Sequence, residues 1–352
     1  MINKEKNAPR EFFAAQNSYY GFISRFREIF DSKKYERIFV LKGGPGTGKS
    51  SIMKKTASTF SGFADVYKIY CSSDINSLDG VIIETKRSRV AILDGTAPHE
   101  RDAVIPGAID ELVNLGVCWR EGELIEKRDA ILSSNLKKSK HYQSAYGLLS
   151  IAGMYNERLK NRVQTLFDSD NAKIAIAGIC EGLSVGKSEK SCFLLSAFGK
   201  GGHEALESAL RYADEVVRVE GKYSSETLFM NILSEEFRKR GIRHTAYPSP
   251  LDTNEIETVF VSRGEKTIAY TTLPLGKSCF ANEFLRYREG DVKEAELFYS
   301  EREKYKRLAS EQFLLASGQH FLLEDIYTPA MNFDMINEIC ELIEKKVRKA
   351  IE

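Results

Sequence analysis

An apolar run, Ile-Phe-Val-Leu at 38–41, leads straight into glycines at 43, 44, 46 and 48, and residues 49–55 continue with helical character. Asp65–Cys71 alternates and is rich in branched and aromatic side chains, as a strand requires. Arg89–Asp94 is a short apolar run closed by a carboxylate, which predicts another strand. Pro106-Gly107 makes a turn, and 108–115 is predicted as a helix stopped by Gly116. From 121 to 167, Leu124, Ile131, Leu136, Tyr142, Leu148 and Leu149 are spaced among Lys, Arg and Glu, which predicts two long helices in a hairpin. Strands alternating with helices imply a parallel sheet.

The second half repeats this order. Sliding the chain on itself by 177 positions sets Tyr35 on Tyr212, Val40 on Val217, Gly44 on Gly221, Met53 on Met230 and Tyr70 on Tyr247. A strand at 215–219, Gly221, a polar turn, a helix at 228–240 and apolar segments at 258–261 and 267–270 follow in the same sequence. Charged helices at 291–315 echo the first hairpin, and a final helix at 331–351 is expected to cap the second half. An internal duplication accounts for this order most simply. The expectation is an α/β fold of two tandem P-loop NTPase-like parallel-sheet domains, 1–185 and 186–352, each with a helical hairpin and the second degenerate. In that register Lys49 falls on Glu226, Gly48 on Ser225, Ser50 on Thr227 and Asp94 on Thr271, so both catalytic charges are missing from the copy.

Charge narrows the partners. The 51 Lys and Arg against 50 Asp and Glu leave a net charge of +1, with no positive field to hold nucleic acid or an anionic membrane. Basic stretches at 137–140 and 345–349 lack interleaved aromatics and read as solvated helix faces. The six cysteines are scattered without a C-x-x-C pair, as in a reduced protein, and no run has signal-peptide or membrane-span length, so a cytoplasmic location is expected.

The glycines carry the chemistry. Residues 43–50, Gly-Gly-Pro-Gly-Thr-Gly-Lys-Ser, satisfy G-x-x-x-x-G-K-[ST] directly after a buried-type strand. Ordinary residue frequencies produce that pattern in roughly 1% of chains of this length. Lacking a Cβ, Gly43, Gly44, Gly46 and Gly48 let successive N–H groups turn inward around a polyphosphate, with Pro45, Thr47 and Ser51 completing the cradle. Lys49 is expected to reach the β- and γ-phosphate oxygens, and Ser50 to ligate Mg²⁺. Asp94, at the carboxyl end of its strand, is the candidate second partner of the Mg²⁺, and Asp74 is another acid of the same neighbourhood. Gly95 follows Asp94 where vigorous ATPases place a Glu, so either His99 or Glu100 positions the attacking water or hydrolysis is slow.

Phe13-Ala14-Ala15 and Gly21-Phe22 before the first strand, the loop itself, Asp94-Gly-Thr-Ala-Pro-His99, residues 106–116, His320 and Glu324-Asp-Ile-Tyr327 together resemble a poorly characterised bacterial family of tandem P-loop ATPases. The resemblance extends over nearly the whole chain and implies ATP binding. In that family the second loop is often intact, whereas Gly221-Lys-Tyr-Ser-Ser-Glu-Thr227 lacks the lysine. Three functions follow as expectations: a slow Mg-dependent ATPase signalling through the degenerate half, with the helical arms open to a protein partner; a nucleotide or small-molecule kinase, which Arg87, Arg89 and Arg101 keep open; or an ATP-sensing module without turnover. No guanine-specific N-K-x-D is apparent, which favours ATP.

Overall fold

The computed structural model describes residues 10–286 and 292–352, and it is α/β with two mixed six-stranded sheets. The chain divides into two compact units that are interleaved along it. Among the described residues, an amino-terminal unit comprises Phe13–Ala15, Ser24–Ser144 and Glu311–Glu352; a central unit comprises 10–12, Gln16–Ile23, 145–286 and 292–310. The single cut after residue 185 expected from the repeat is therefore not the division found.

In the amino-terminal unit, Arg37–Lys42 is an interior strand of its sheet, with Ile38, Phe39, Val40 and Leu41 fully buried. It runs parallel to Arg89–Asp94 on one side, Leu41 opposite Asp94, and parallel to Asp110–Asn114 on the other. Beyond Arg89–Asp94 come Asp74–Glu84 and Asp65–Cys71, each antiparallel to its neighbour. The parallel sheet expected from alternation is thus corrected to a mixed one. Only Ser72 and Ser73 separate Asp65–Cys71 from Asp74–Glu84, too few for the crossover of a dozen or more residues that parallel pairing needs.

The helix expected at 108–115 is instead the edge strand Asp110–Asn114, followed by a 3-10 turn at Leu115–Cys118. Burial of Asp110 anchors it there. Its carboxylate accepts hydrogen bonds from Arg101 Nη2 (2.9 Å), Ser32 Oγ (2.9 Å) and the N–H groups of Val104 (3.0 Å) and Ile105 (2.7 Å). A buried carboxylate is tolerated when its acceptor positions are satisfied this fully.

The predicted hairpins are single helices, Arg128–Leu166 and Lys293–Tyr327; Asp291, where the second was expected to begin, lies outside the described residues. Neither contains a proline, and Gly147 and Gly153 are tolerated inside the first. The final helix, Phe333–Ile351, buries Ile336, Cys340, Ile343 and Val347 in the same core as Phe39, Leu41, Ile52, Met53 and Phe60. It therefore covers the amino-terminal sheet and does not cap the second half. Each isoleucine so buried contributes about 2 kcal/mol.

In the central unit, Glu215–Glu220 lies between Lys266–Thr271 and Lys277–Phe280, parallel to both, with Arg218 opposite Thr271. Ile256–Arg263 and His244–Pro248 follow as antiparallel neighbours. This is the strand order of the amino-terminal sheet, element for element, which gives the sequence echo a structural counterpart. Ser169–Ile179 contributes Ala172 and Ile176 to the central core beside Phe229, Met230 and Phe237. Each long helix thus ends by delivering the helix after it to the sheet of the other repeat.

Candidate functional site

The glycine-rich loop, 43–48, joins Arg37–Lys42 to the helix Lys49–Phe60. Gly46 (φ 68°) and Gly48 (φ 83°) adopt left-handed backbone conformations that a side chain would strain. Thr47 Oγ1 closes the loop on the Gly44 carbonyl at 2.9 Å. Lys49 Nζ donates to the carbonyls of Gly43 (2.7 Å) and Gly44 (2.9 Å) and stands 3.6 Å from Asp94 Oδ2. The structure thereby brings together Lys49 and Asp94, which are 45 positions apart in sequence. Ser50 Oγ accepts the Leu78 N–H at 3.0 Å, leaving one lone pair.

Asp94 ends its strand as expected, and Asp94 Oδ1 accepts from Thr96 N–H (2.8 Å) and Thr96 Oγ1 (2.6 Å). Burial pushes its carboxyl above the usual range, against the pull of Lys49, and the neighbouring Asp79 pushes the same way. Gly95 has no room for the absent Glu: a Cβ there would overlap Val40 Cγ1 and lie 3.1 Å from the Arg101 carbonyl oxygen. His99 is only 6% exposed, stacked on Phe26 at 4.4 Å between ring centroids, with Nε2 3.0 Å from Asp79 Oδ2. His99 is thus held by ring packing and by the Asp79 carboxylate. Glu100 is exposed.

Five residues near the loop carried no assigned role in the sequence analysis. The Gly46 N–H donates to the Glu324 carboxylate, whose pKa burial raises, with Asp74 raising it further and Lys49 opposing. His320 Nε2 lies 3.5 Å from Glu324 Oε1. The rings of Trp119 and Tyr327, 5.6 Å apart between centroids, pack on Gly44, where an added Cβ would meet them at 3.5 and 3.6 Å. Lys138, on the first long helix, is half-buried; burial lowers its ammonium pKa and the Lys49 charge lowers it further. Of these, His320, Glu324 and Tyr327 were marked by the family resemblance, whereas Trp119 and Lys138 gave no local signal. They arrive by tertiary folding alone.

The corresponding junction of the central unit differs by one residue. The first loop helix begins at Lys49 after left-handed Gly48, and the second, Ser225–Lys239, begins after left-handed Ser224 (φ 65°), an offset of 176 where the sequence register was 177. Ser225, not Glu226, therefore takes the place of Lys49. Comparison of the chain with models of known protein families, with curated proteins and with solved structures found no match. The site has to be read from its own chemistry.

Among the described residues no group of three or more His, Cys, Asp or Glu is placed to hold a metal ion, and no helix is long and apolar enough to cross a membrane.

Proposed function

We propose that the amino-terminal unit binds ATP with Mg²⁺ in the loop 43–48 and hydrolyses it slowly. The observation that carries this reading is Lys49: its ammonium is held over the loop carbonyls, 3.6 Å from a buried carboxylate, beside two left-handed glycines. An ammonium fixed in that way, with inward N–H groups and a helix N-terminus, has the chemistry of a polyphosphate site. When a triphosphate arrives, Lys49 exchanges carbonyl partners for phosphate oxygens. Lys138 adds a second cation within electrostatic reach of the first, which favours an anion nearby.

The residues present also fit a magnesium ion. Ser50 Oγ and the Asp94 carboxylate are hard oxygen donors, and one or two such ligands plus phosphates and waters satisfy Mg²⁺ without an all-protein cage. Bound there, the ion would neutralise charge on the terminal phosphates. Slow turnover follows from the crowding at Gly95 and the burial of His99, since neither position offers a base to an attacking water.

Those same two observations favour a second reading, binding without turnover. Phosphate release by the purified full-length protein, compared with Lys49→Ala, separates them. A Lys49-dependent rate supports the ATPase, binding without release supports the sensor, and release unchanged by the substitution overturns the proposal.

A further inference from the structure

The central unit has a cavity of about 540 Å³ of its own, at the loop end of its sheet, inside the size range of small-molecule sites. Its walls come from the start of the second loop helix (Ser224, Glu226), the start of Ile256–Arg263, the turn after Lys266–Thr271 and the second long helix (Arg302). Leu210, Leu251 and Leu273, all buried, give it an apolar side.

Its charged lining is unevenly committed. Arg302 Nη1 donates to Asn156 Oδ1 (2.8 Å) and Ser224 Oγ (2.7 Å), and Arg302 Nη2 lies 2.9 Å from Glu303 Oε1. Lys306 Nζ bonds both Glu303 oxygens at 3.0 Å. These cations are already occupied by protein groups. The carboxylates retain acceptor capacity: Glu257, 2% exposed, takes Ser196 Oγ (2.6 Å) and lies 2.9 Å from His203 Nε2, and Glu255 Oε1 takes Asn156 Nδ2 (2.9 Å). Each carboxylate offers about four acceptor positions. Glu226 Oε2 is buried with no hydrogen-bond partner at all. A buried unpaired acceptor of this kind is costly unless a ligand or a proton meets it.

We infer that this cavity binds a small organic cation, a primary amine or guanidinium compound with a hydrocarbon body, whose charged N–H groups meet Glu226, Glu255 and Glu257 while its carbons lie on the leucines. Burial pushes the Glu226 carboxyl up to about 7, so a proton fills the role while the cavity is empty of cation. An anion is disfavoured at the same place. A Cβ on Gly221 would lie 2.6 Å from Glu226 Oε2, so the Glu226 carboxylate rests against the loop backbone where the first repeat exposes its glycines.

Calorimetry on the full chain carrying Lys49→Ala, which keeps nucleotide binding at the first loop out of the measurement, tests this with agmatine and putrescine against acetate, inorganic phosphate and ATP. The amines should bind, with affinity at least about tenfold weaker in Glu226→Gln, as loss of a charge-assisted hydrogen bond requires. Ala205→Trp, on the partly exposed wall strand Gly202–Ala205, should abolish binding by filling the space, without touching a charge. Circular dichroism on each variant establishes that it is folded. Absence of amine binding in the parent, equal amine affinity in Glu226→Gln, or phosphate or ATP binding that Ala205→Trp removes would overturn the inference. Because Lys49 is already replaced, none of these results bears on the ATP reading.

Discussion

The two strand-to-helix junctions of this chain sit at the same place in sheets of the same strand order, yet they carry opposite chemistry. In the first, two left-handed glycines and Lys49 build a cationic cradle beside Asp94. In the second, the left-handed positions are Tyr223 and Ser224, Ser225 replaces the lysine, Thr271 stands opposite the strand where Asp94 would be, and the Glu226 carboxylate lies against Gly221. Strand order is thus insensitive to the charge at the junction. The sheets are held by buried Ile, Val, Leu and Phe, and the loop is left free to change its charge.

The largest break in that comparison should come from Lys49→Ala. A unit charge about 4 Å from a phosphate is worth roughly 4 kcal/mol at an effective dielectric near 20, so ATP affinity should fall roughly 10²–10³-fold by calorimetry. An unchanged affinity would remove the distinction between the junctions.

Next is Ile343→Ala, which removes a side chain only 2% exposed and should cost about 2–4 kcal/mol in denaturant unfolding. Hydrogen exchange sharpens the comparison: protection should drop in Arg37–Lys42 and not in Glu215–Glu220, because the final helix shares its core with the former. Loss of protection in the latter strand alone would contradict the interleaved units.

Glu226→Gln should act through pH. Burial raises this carboxyl to about 7 in the fold, with Arg302 opposing and Glu255 and Glu303 adding to the rise. The stability it contributes is therefore present below about pH 4.5 and is lost as pH rises through 7. Wild type and variant should be equally stable at pH 4.5, and the variant more stable by on the order of 2 kcal/mol at pH 8. A pH-independent difference would mean the carboxyl is not buried as described.

The smallest effect is expected from Glu324→Gln, which weakens a carboxylate that accepts the Gly46 N–H and competes with an incoming phosphate. Partly exposed charges are screened, so ATP affinity should rise only about fivefold. A fall would instead make Glu324 a contributor to binding.

The loop was legible because its pattern is local: eight consecutive residues after an apolar strand dictate the turn, the helix start and the ammonium. Asp94 was legible for a similar reason, a carboxylate closing a short apolar run. The strand Asp74–Glu84 was not, since Asp79 and Gly80 interrupt it and lower its β-propensity. Gly80 is there because a Cβ would lie 2.8 Å from Phe30 Cζ, a contact 50 residues distant that no window reveals. His99 reads as a loop residue in Gly-Thr-Ala-Pro-His, and only the Phe26 ring and Asp79 turn it inward. The final helix has a clear apolar stripe, but a stripe does not state which sheet it will cover. Trp119 reaches the loop by the same kind of long-range packing.

Counting bound nucleotide is the most direct test of the contrast between the junctions. Titration of the full chain with Mg-ATP by calorimetry should give one site per chain, lost in Lys49→Ala and retained in Glu226→Gln. Two sites, or one that survives Lys49→Ala, would contradict the account.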